Sequence, residues 1–147
     1  SFDVAVGITL LYTVNDDVAA LAELARVLRA GGAVLLLEPA FDSLRRAHDV
    51  TVHGRRRYRR HELADIAMRS GLRVRRATYA YSFLAPPAAV LAVLERRGTQ
   101  PPQETGSDVD RRALDQVFAP LARAERRWLN QHDVPVGTSV VVVATRD

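Results

Sequence analysis

Apolar side chains occupy both odd and even positions in three short runs, Val4–Ile8, Ala33–Leu37 and Val140–Ala144. A strand that is apolar at both parities needs cover on both faces, so residues 2–8, 33–38 and 138–145 are predicted as strands buried in a layered sheet. Between the first two the rhythm changes. Leu21, Leu24, Ala25 and Leu28 recur at helical spacing, Asn15-Asp16-Asp17 offers capping side chains, and Gly31-Gly32 offers a stop. The spacing predicts a helix over 16–29. Residues 2–38 therefore spell strand, helix, strand with short connections, a parallel crossover expected to be right-handed.

Beyond Pro39 the pattern is irregular as far as the arginine cluster Arg55, Arg56, Arg57, Arg59 and Arg60. Leu63, Ile66 and Ala67 predict a helix over about 61–70, closed at Ser70-Gly71. A strand is expected from Leu72 to about Phe83, and its change of apolar parity after Val74 marks a bulge at Arg75-Arg76. Pro86-Pro87 opens a helix to about Arg97, with Val90, Leu91 and Leu94 on one side. Residues 98–109 read as a polar loop. Residues 110–130 read as helical, with Leu114, Val117, Phe118, Leu121 and Trp128 in phase and Pro120 expected to kink or split the element. The sum, β-α-β-α-β-α-α-β, predicts an α/β chain built on a partial doubly wound, mostly parallel sheet, with residues 1–147 as a single domain. A Gly-rich strand-to-helix turn of the G-x-G-x-x-G type is missing, since Gly31-Gly32 follows a helix and not a strand.

Composition narrows the chemistry. The chain has no Cys, which excludes thiolate metal sites, disulfides and Cys nucleophiles. All 21 of its basic residues are Arg, so lysine Schiff-base and general-base chemistry is excluded as well. A net charge of +4 permits an anionic ligand without calling for nucleic acid. No run approaches the length of a membrane span, and no charged head followed by an apolar stretch opens the chain; a cytoplasmic location with no membrane partner is expected.

Phe2-Asp3-Val4-Ala5-Val6, the turn Ala25-Arg26-Val27-Leu28-Arg29-Ala30-Gly31-Gly32 and the strand from Ala33 to Glu38-Pro39 closely resemble class I S-adenosylmethionine-dependent methyltransferases. Ala47-His48-Asp49, Gly54-Arg55-Arg56-Arg57-Tyr58, Glu62-Leu63 and Ser70-Gly71-Leu72 are similar, in order, to stations of the small-molecule methyltransferase branch. The resemblance spans roughly 2–97 and 138–147. It implies a Rossmann-like sheet ordered 3-2-1-4-5-7-6 whose seventh strand is antiparallel. This chain matches the C-terminal half, the fourth to seventh strands, and the first strands with their Gly-rich cofactor loop and ribose-binding acid have no counterpart in it. S-adenosyl-L-methionine is thus expected only where the missing half is supplied. The resemblance further makes residues 86–130 a helical insertion that would form an acceptor lid in a complete enzyme, makes 48–58 a lid over a site floor at 8–13 and Glu38–Phe41, and makes Arg57 and Tyr58 structural braces of the lid over the acceptor.

Open α/β sheets bind ligands at the carboxyl ends of their strands. On that ground Ile8, Thr9, Leu10 and Leu11 are expected to wall the cofactor, and Tyr12, Thr13, Pro39, Phe41, His48, Arg55 and Arg56 to face a small-molecule acceptor. His48, His53 and Glu38 are the candidate proton acceptors, with no catalytic assignment among them. His48, His53 and His61 stand five and eight residues apart, which does not suit a helical metal pair, and no metal is expected. Tyr79, Tyr81, Phe83 and Trp128 read as core. The function that follows is methyl transfer to a small molecule within a complete domain. The alternative is a non-catalytic interaction module using the 2–8 edge and the arginine loop. Nucleic-acid binding ranks third, because Tyr58 alone interleaves with the arginines. Val4, Val6 and Ile8 would leave an apolar open edge, so that strand is expected to pair with a second copy of the chain or with a complementing N-terminal segment.

Overall fold

The computed structural model describes residues 1–46, 49–50, 53–98 and 108–147, with side chains of the last stretch from residue 116 onward. β1 (Phe2–Ile8), α1 (Asp17–Val27) and β2 (Leu28–Pro39) form the first crossover. α2 (Arg60–Arg69) leads into β3 (Leu72–Ala80), and α3 (Ala85–Arg96) and α4 (Asp108–Leu129) precede β4 (Ser139–Arg146). Single 3-10 turns lie at Leu11–Thr13, Asp42–Leu44 and Ser82–Leu84.

The four strands form one sheet in the order β1-β2-β4-β3. β1 pairs parallel with β2, while β4 pairs antiparallel with both β2 and β3. The architecture is Rossmann-like, with three strands running one way and the last inserted between two of them. This is the fourth-fifth-seventh-sixth order, with its antiparallel last strand, that the methyltransferase resemblance implied.

Register decides which side chains share a face. Val34, Leu36 and Glu38 of β2 align with Ala144, Val142 and Val140 of β4, and the last two of these with Ala77 and Tyr79 of β3. Leu21 and Ala25 from α1 and Leu63, Ile66 and Ala67 from α2 pack on this face and close the core. The expected inward residues of the second helix are therefore those that the core uses.

The opposite face is open along β1. Val4, Val6 and Ile8 align with Ala33, Leu35 and Leu37, and Phe2, Val4, Val6 and Ile8 are all more than half exposed. The burial of this strand on both faces is corrected, while the expected open apolar edge is present: β1 is an outer strand, and among the described residues its Val4 face is left bare.

Several boundaries also move. The first helix ends at Val27 and not at residue 29, because Leu28 already pairs with Phe2. The next matched pair is Val4 with Ala33, so the residues between bulge out of the ladder, and Gly31 takes φ +75° to allow it. The bulge expected at Arg75-Arg76 is present as a register shift between Val74 and Arg76. β3 stops at Ala80, three residues before Phe83, because Tyr81 turns to φ 57°. α4 runs unsplit through Pro120. Pro120 and Gln116, whose carbonyl loses its partner, are both exposed, so water can satisfy that carbonyl. Val117, Leu121 and Trp128 lie exposed on α4 while Phe118 is half-buried, and on α3 Val90 is exposed while Ala92 is buried. His48, Leu114 and the polar loop beyond Gly98 lie outside what the described residues and side chains cover. Among the described residues no helix is long and apolar enough to cross a membrane.

Candidate ligand site at the carboxyl edge of the sheet

Each of the three co-directional strands ends on a non-glycine residue in the left-handed region. Thr9 (φ 50°) follows β1, Phe41 (φ 53°) follows β2 across Ala40, and Tyr81 (φ 57°) follows β3. A side chain at positive φ costs about 1 kcal/mol or more and persists only where its surroundings impose it. Such residues collect at binding edges, and here all three lie on the edge where open α/β sheets receive ligands.

Buried or half-buried carboxylates impose two of these turns. Glu38, at the end of β2, is fully buried. Its Oε1 accepts the Leu10 and Leu11 N–H groups at 3.0 and 2.9 Å, and its Oε2 accepts the Tyr12 N–H at 3.1 Å. Burial pushes this carboxyl above its usual range, against the pull of the three N–H donors. Glu125 of α4 does the same after β3, accepting the Tyr81 and Ser82 N–H groups at 2.5 and 2.7 Å and the Ser82 hydroxyl as well. Both side chains hold a chain reversal.

Tyr12 joins the turn after β1 to the segment after β2. Its hydroxyl donates to Asp49 Oδ1 at 2.5 Å, and its carbonyl accepts the Arg55 N–H at 2.9 Å. Arg57 forks onto the same carboxylate, with Nε 3.0 Å from Oδ1 and Nη2 3.1 Å from Oδ2, and its Nη1 reaches the Ala40 carbonyl at 3.2 Å. The Arg46 N–H adds a bond to Oδ2 at 2.7 Å. Burial alone would raise Asp49; the Tyr12 hydroxyl, the Arg46 N–H and the Arg57 guanidinium outweigh it and hold the carboxyl below its usual range. Burial, then the acceptor Asp49, pushes the Tyr12 phenol up to about 12. Gly54 lies against this ring so closely that a Cβ there would be 1.8 Å from the Tyr12 oxygen.

Tyr58 is the second tie. It is fully buried, its hydroxyl donates to the Leu11 carbonyl at 2.9 Å, and its backbone bridges Pro39 and Phe41. Burial, then the charge of Asp17, raises its phenol. Arg56 stacks 4.7 Å over the Tyr58 ring and pairs with Asp17 at 3.2 Å. Arg57 and Tyr58 thus tie the turn after β1 to the segment after β2.

The expected site residues divide accordingly. Ile8, Thr9 and Thr13 are exposed at the edge, and Leu10 is half-buried. Leu11 and Tyr12 are buried, so Leu11 can offer a cofactor no side-chain surface and Tyr12 no free hydroxyl. Pro39 is half-buried, and Phe41 stacks on Tyr79 at 4.9 Å. Arg55 and Arg56 are exposed and border a cleft of about 380 Å³ together with Asp16, Asp17 and Arg69. His53 is exposed with φ 57°, and His48 lies outside the described residues. Glu125 escaped the sequence reading because a single Glu on an amphipathic helix carries no local mark of the turn it will meet.

No protein-family profile matches the chain, and no curated protein matches it. Among solved structures it is similar to the crystal structure of the [4+2]-cyclase SpnF, at 18% identity and a TM-score of 0.52. The match covers 99% of this chain and 51% of the cyclase, so the chain spans about half the length of that solved protein. At this identity the likeness concerns the fold.

Proposed function

We propose that the chain is the acceptor-side half of a methyltransferase-type domain that moves a methyl group from S-adenosylmethionine to a small molecule. S-adenosylmethionine, when bound, would supply an electrophilic methyl group on sulfur, and Ile8, Thr9 and Leu10 would line the wall that holds it against the acceptor heteroatom. The observation that carries the reading is the set of left-handed residues Thr9, Phe41 and Tyr81 on one edge of a sheet with this strand order. The likeness to the cyclase supports the fold on which it rests.

The residues present suit one wall of such a site. Ile8 and Leu10 offer apolar surface and Thr9 an exposed backbone turn. The N–H groups of Leu10, Leu11 and Tyr12 are committed to Glu38, so this wall recognises a ligand by shape and by its carbonyls more than by donated bonds. Glu38 and Asp49 are likewise committed. The role of this half is then to hold the acceptor in line and exclude water, which is most of what methyl transfer to a good nucleophile requires.

A second reading follows from the cyclase. A ring closure directed by shape also needs no free acid or base, and the engaged carboxylates suit it equally. Calorimetric titration with S-adenosylmethionine separates the two, performed on the chain and again with its missing strands supplied. Binding that shifts the Thr9 and Leu10 amide resonances supports the cofactor wall. Absence of binding in both forms removes the methyl-transfer reading.

A further inference from the structure

Three arginines line the cleft of about 380 Å³ between the start of α1 and the end of α2. Arg56 is fixed there, with its Nη1 3.2 Å from Asp17 Oδ2 and its guanidinium 4.7 Å over the Tyr58 ring. Arg55 and Arg69 are not. Both are exposed, and among the described residues neither side chain has a hydrogen bond or an ion pair. The backbone of Arg55 is nonetheless tied down. Its N–H donates to the Tyr12 carbonyl at 2.9 Å, and its carbonyl accepts from Arg45 at 2.8 Å. A guanidinium anchored in this way and left unspent keeps all five N–H donors for a ligand.

We infer that this cleft binds one small organic carboxylate, its oxygens taken by Arg55 and Arg69 and its apolar body laid against Val14, Val18 and Ile66. Charge decides the class of ligand. The three guanidinium groups and the carboxylates of Asp16 and Asp17 leave the cleft with one positive charge. Asp17 is answered by Arg56, and Asp16 turns its Oδ1 to the Ala19 N–H at 2.9 Å. Arg55 and Arg69 are therefore the cations left to a ligand. A carboxylate brings one negative charge and meets the planar guanidinium fork with two parallel bonds. A phosphate monoester brings about −1.5 to −2 at pH 7 and would set its excess against Asp16.

The lining sets the rest of the ligand. Ile66 is buried and Val14 and Val18 are half-buried at the cleft, so a short apolar body gains contact there. The volume stands at the lower end of the range for small-molecule sites, about 300–1,000 Å³. A nucleic-acid strand fits less well. The two acids repel a phosphate backbone, and among the described residues that line the cleft none is aromatic, so no base can stack. Ile8, Thr9 and Leu10 take no part in this cleft, and the inference is independent of the methyl-transfer reading.

The test titrates the full chain with benzoate, acetate, benzamide and phenyl phosphate at constant ionic strength, without S-adenosylmethionine. Arginine Nε–Hε resonances and the melting temperature are followed. Benzoate is expected to bind in the millimolar range or tighter, to shift the Arg55 and Arg69 signals and to raise the melting temperature. Acetate, which lacks an apolar body, should bind several-fold more weakly, and neutral benzamide should not bind. Arg55→Gln and Arg69→Gln should each weaken benzoate binding about ten-fold. Neither side chain holds a contact in the folded chain, so both variants are expected to fold as the parent does. Arg60→Gln removes the same unit of charge outside the cleft and should leave binding unchanged. Four results overturn the inference: unshifted Arg55 and Arg69 signals with benzoate, benzamide bound as tightly as benzoate, phenyl phosphate bound more tightly than benzoate, or equal losses in Arg60→Gln and Arg69→Gln. Single-stranded DNA bound more tightly than benzoate, with an affinity that falls steeply with salt, would overturn it in favour of nucleic acid.

Discussion

The Tyr12 hydroxyl lies 2.5 Å from Asp49 Oδ1, across 37 residues of chain, and makes one unit of the turn after β1 and the segment after β2. A bond to an ionised acceptor contributes about 1.5–3 kcal/mol. Tyr12→Phe is expected to cost about that much in urea unfolding, with the slope of the transition unchanged. Asp49→Ala should cost more, about 3 kcal/mol or above, because it strands the half-buried Arg57 guanidinium as well. The double variant should fall short of the sum, since both changes remove one network. A Tyr12→Phe variant as stable as the parent would show that the bond holds nothing.

Gly54 tests the same contact by volume. An added methyl there overlaps the Tyr12 ring and oxygen, at 1.9 and 1.8 Å. Gly54→Ala is expected to destabilise by about 1–3 kcal/mol through overpacking. In a Tyr12→Ala background the space is open, and the same substitution should cost little. Equal costs in both backgrounds would mean that backbone conformation at Gly54, and not the ring, sets the requirement.

Glu38 is expected to act as a structural acceptor. Glu38→Ala orphans three backbone N–H groups, those of Leu11 and Tyr12 buried and that of Leu10 part-buried, at about 1–3 kcal/mol for each buried group left unpaired. The measured loss should be at least about 3 kcal/mol, and exchange at Leu10, Leu11 and Tyr12 should accelerate together. Glu38→Gln keeps one acceptor oxygen and should be intermediate. Exchange confined to one of the three amides would contradict the shared cradle.

Stability should depend on pH with opposite signs at these groups. Asp49 sits below its ordinary 3.8 in the folded chain, so its contribution is complete above that value and is lost as pH falls through the folded pKa. Asp49→Asn should flatten that acid limb. Glu38 is raised above 4.5, so its contribution is complete at lower pH and declines as pH rises through its folded value. Tyr12, raised from 10.0 to about 12, adds stability that is present below pH 10 and lost as pH climbs toward 12. Thermal melts of the parent, Asp49→Asn, Glu38→Gln and Tyr12→Phe across pH 2–12 resolve the three limbs.

Much of the architecture was legible along the chain. Alternation of both-parity apolar runs with helical spacing is a local property, so β1, β2, β4, α1 and α2 could be placed from neighbouring residues alone. The bulge near Arg75-Arg76 was visible too, because a slip in strand register reverses side-chain parity. The candidate edge was legible as a position, after Ile8 and at Glu38-Pro39, since the ends of strands are set by the same pattern.

What each side chain does at that edge required the folded chain. Glu38 read as a candidate base, and only the return of residues 10–12 over the end of β2 turned it into a three-fold acceptor. Glu125 carried no signal until α4 met the turn after β3. Val4, Val6 and Ile8 announced a need for cover, but whether the chain itself provides it depends on the order in which strands assemble, which local spacing does not encode. Secondary structure arises from contacts a few residues apart, whereas the pairing of Tyr12 with Asp49 and Gly54 joins groups that become neighbours only once the sheet has formed.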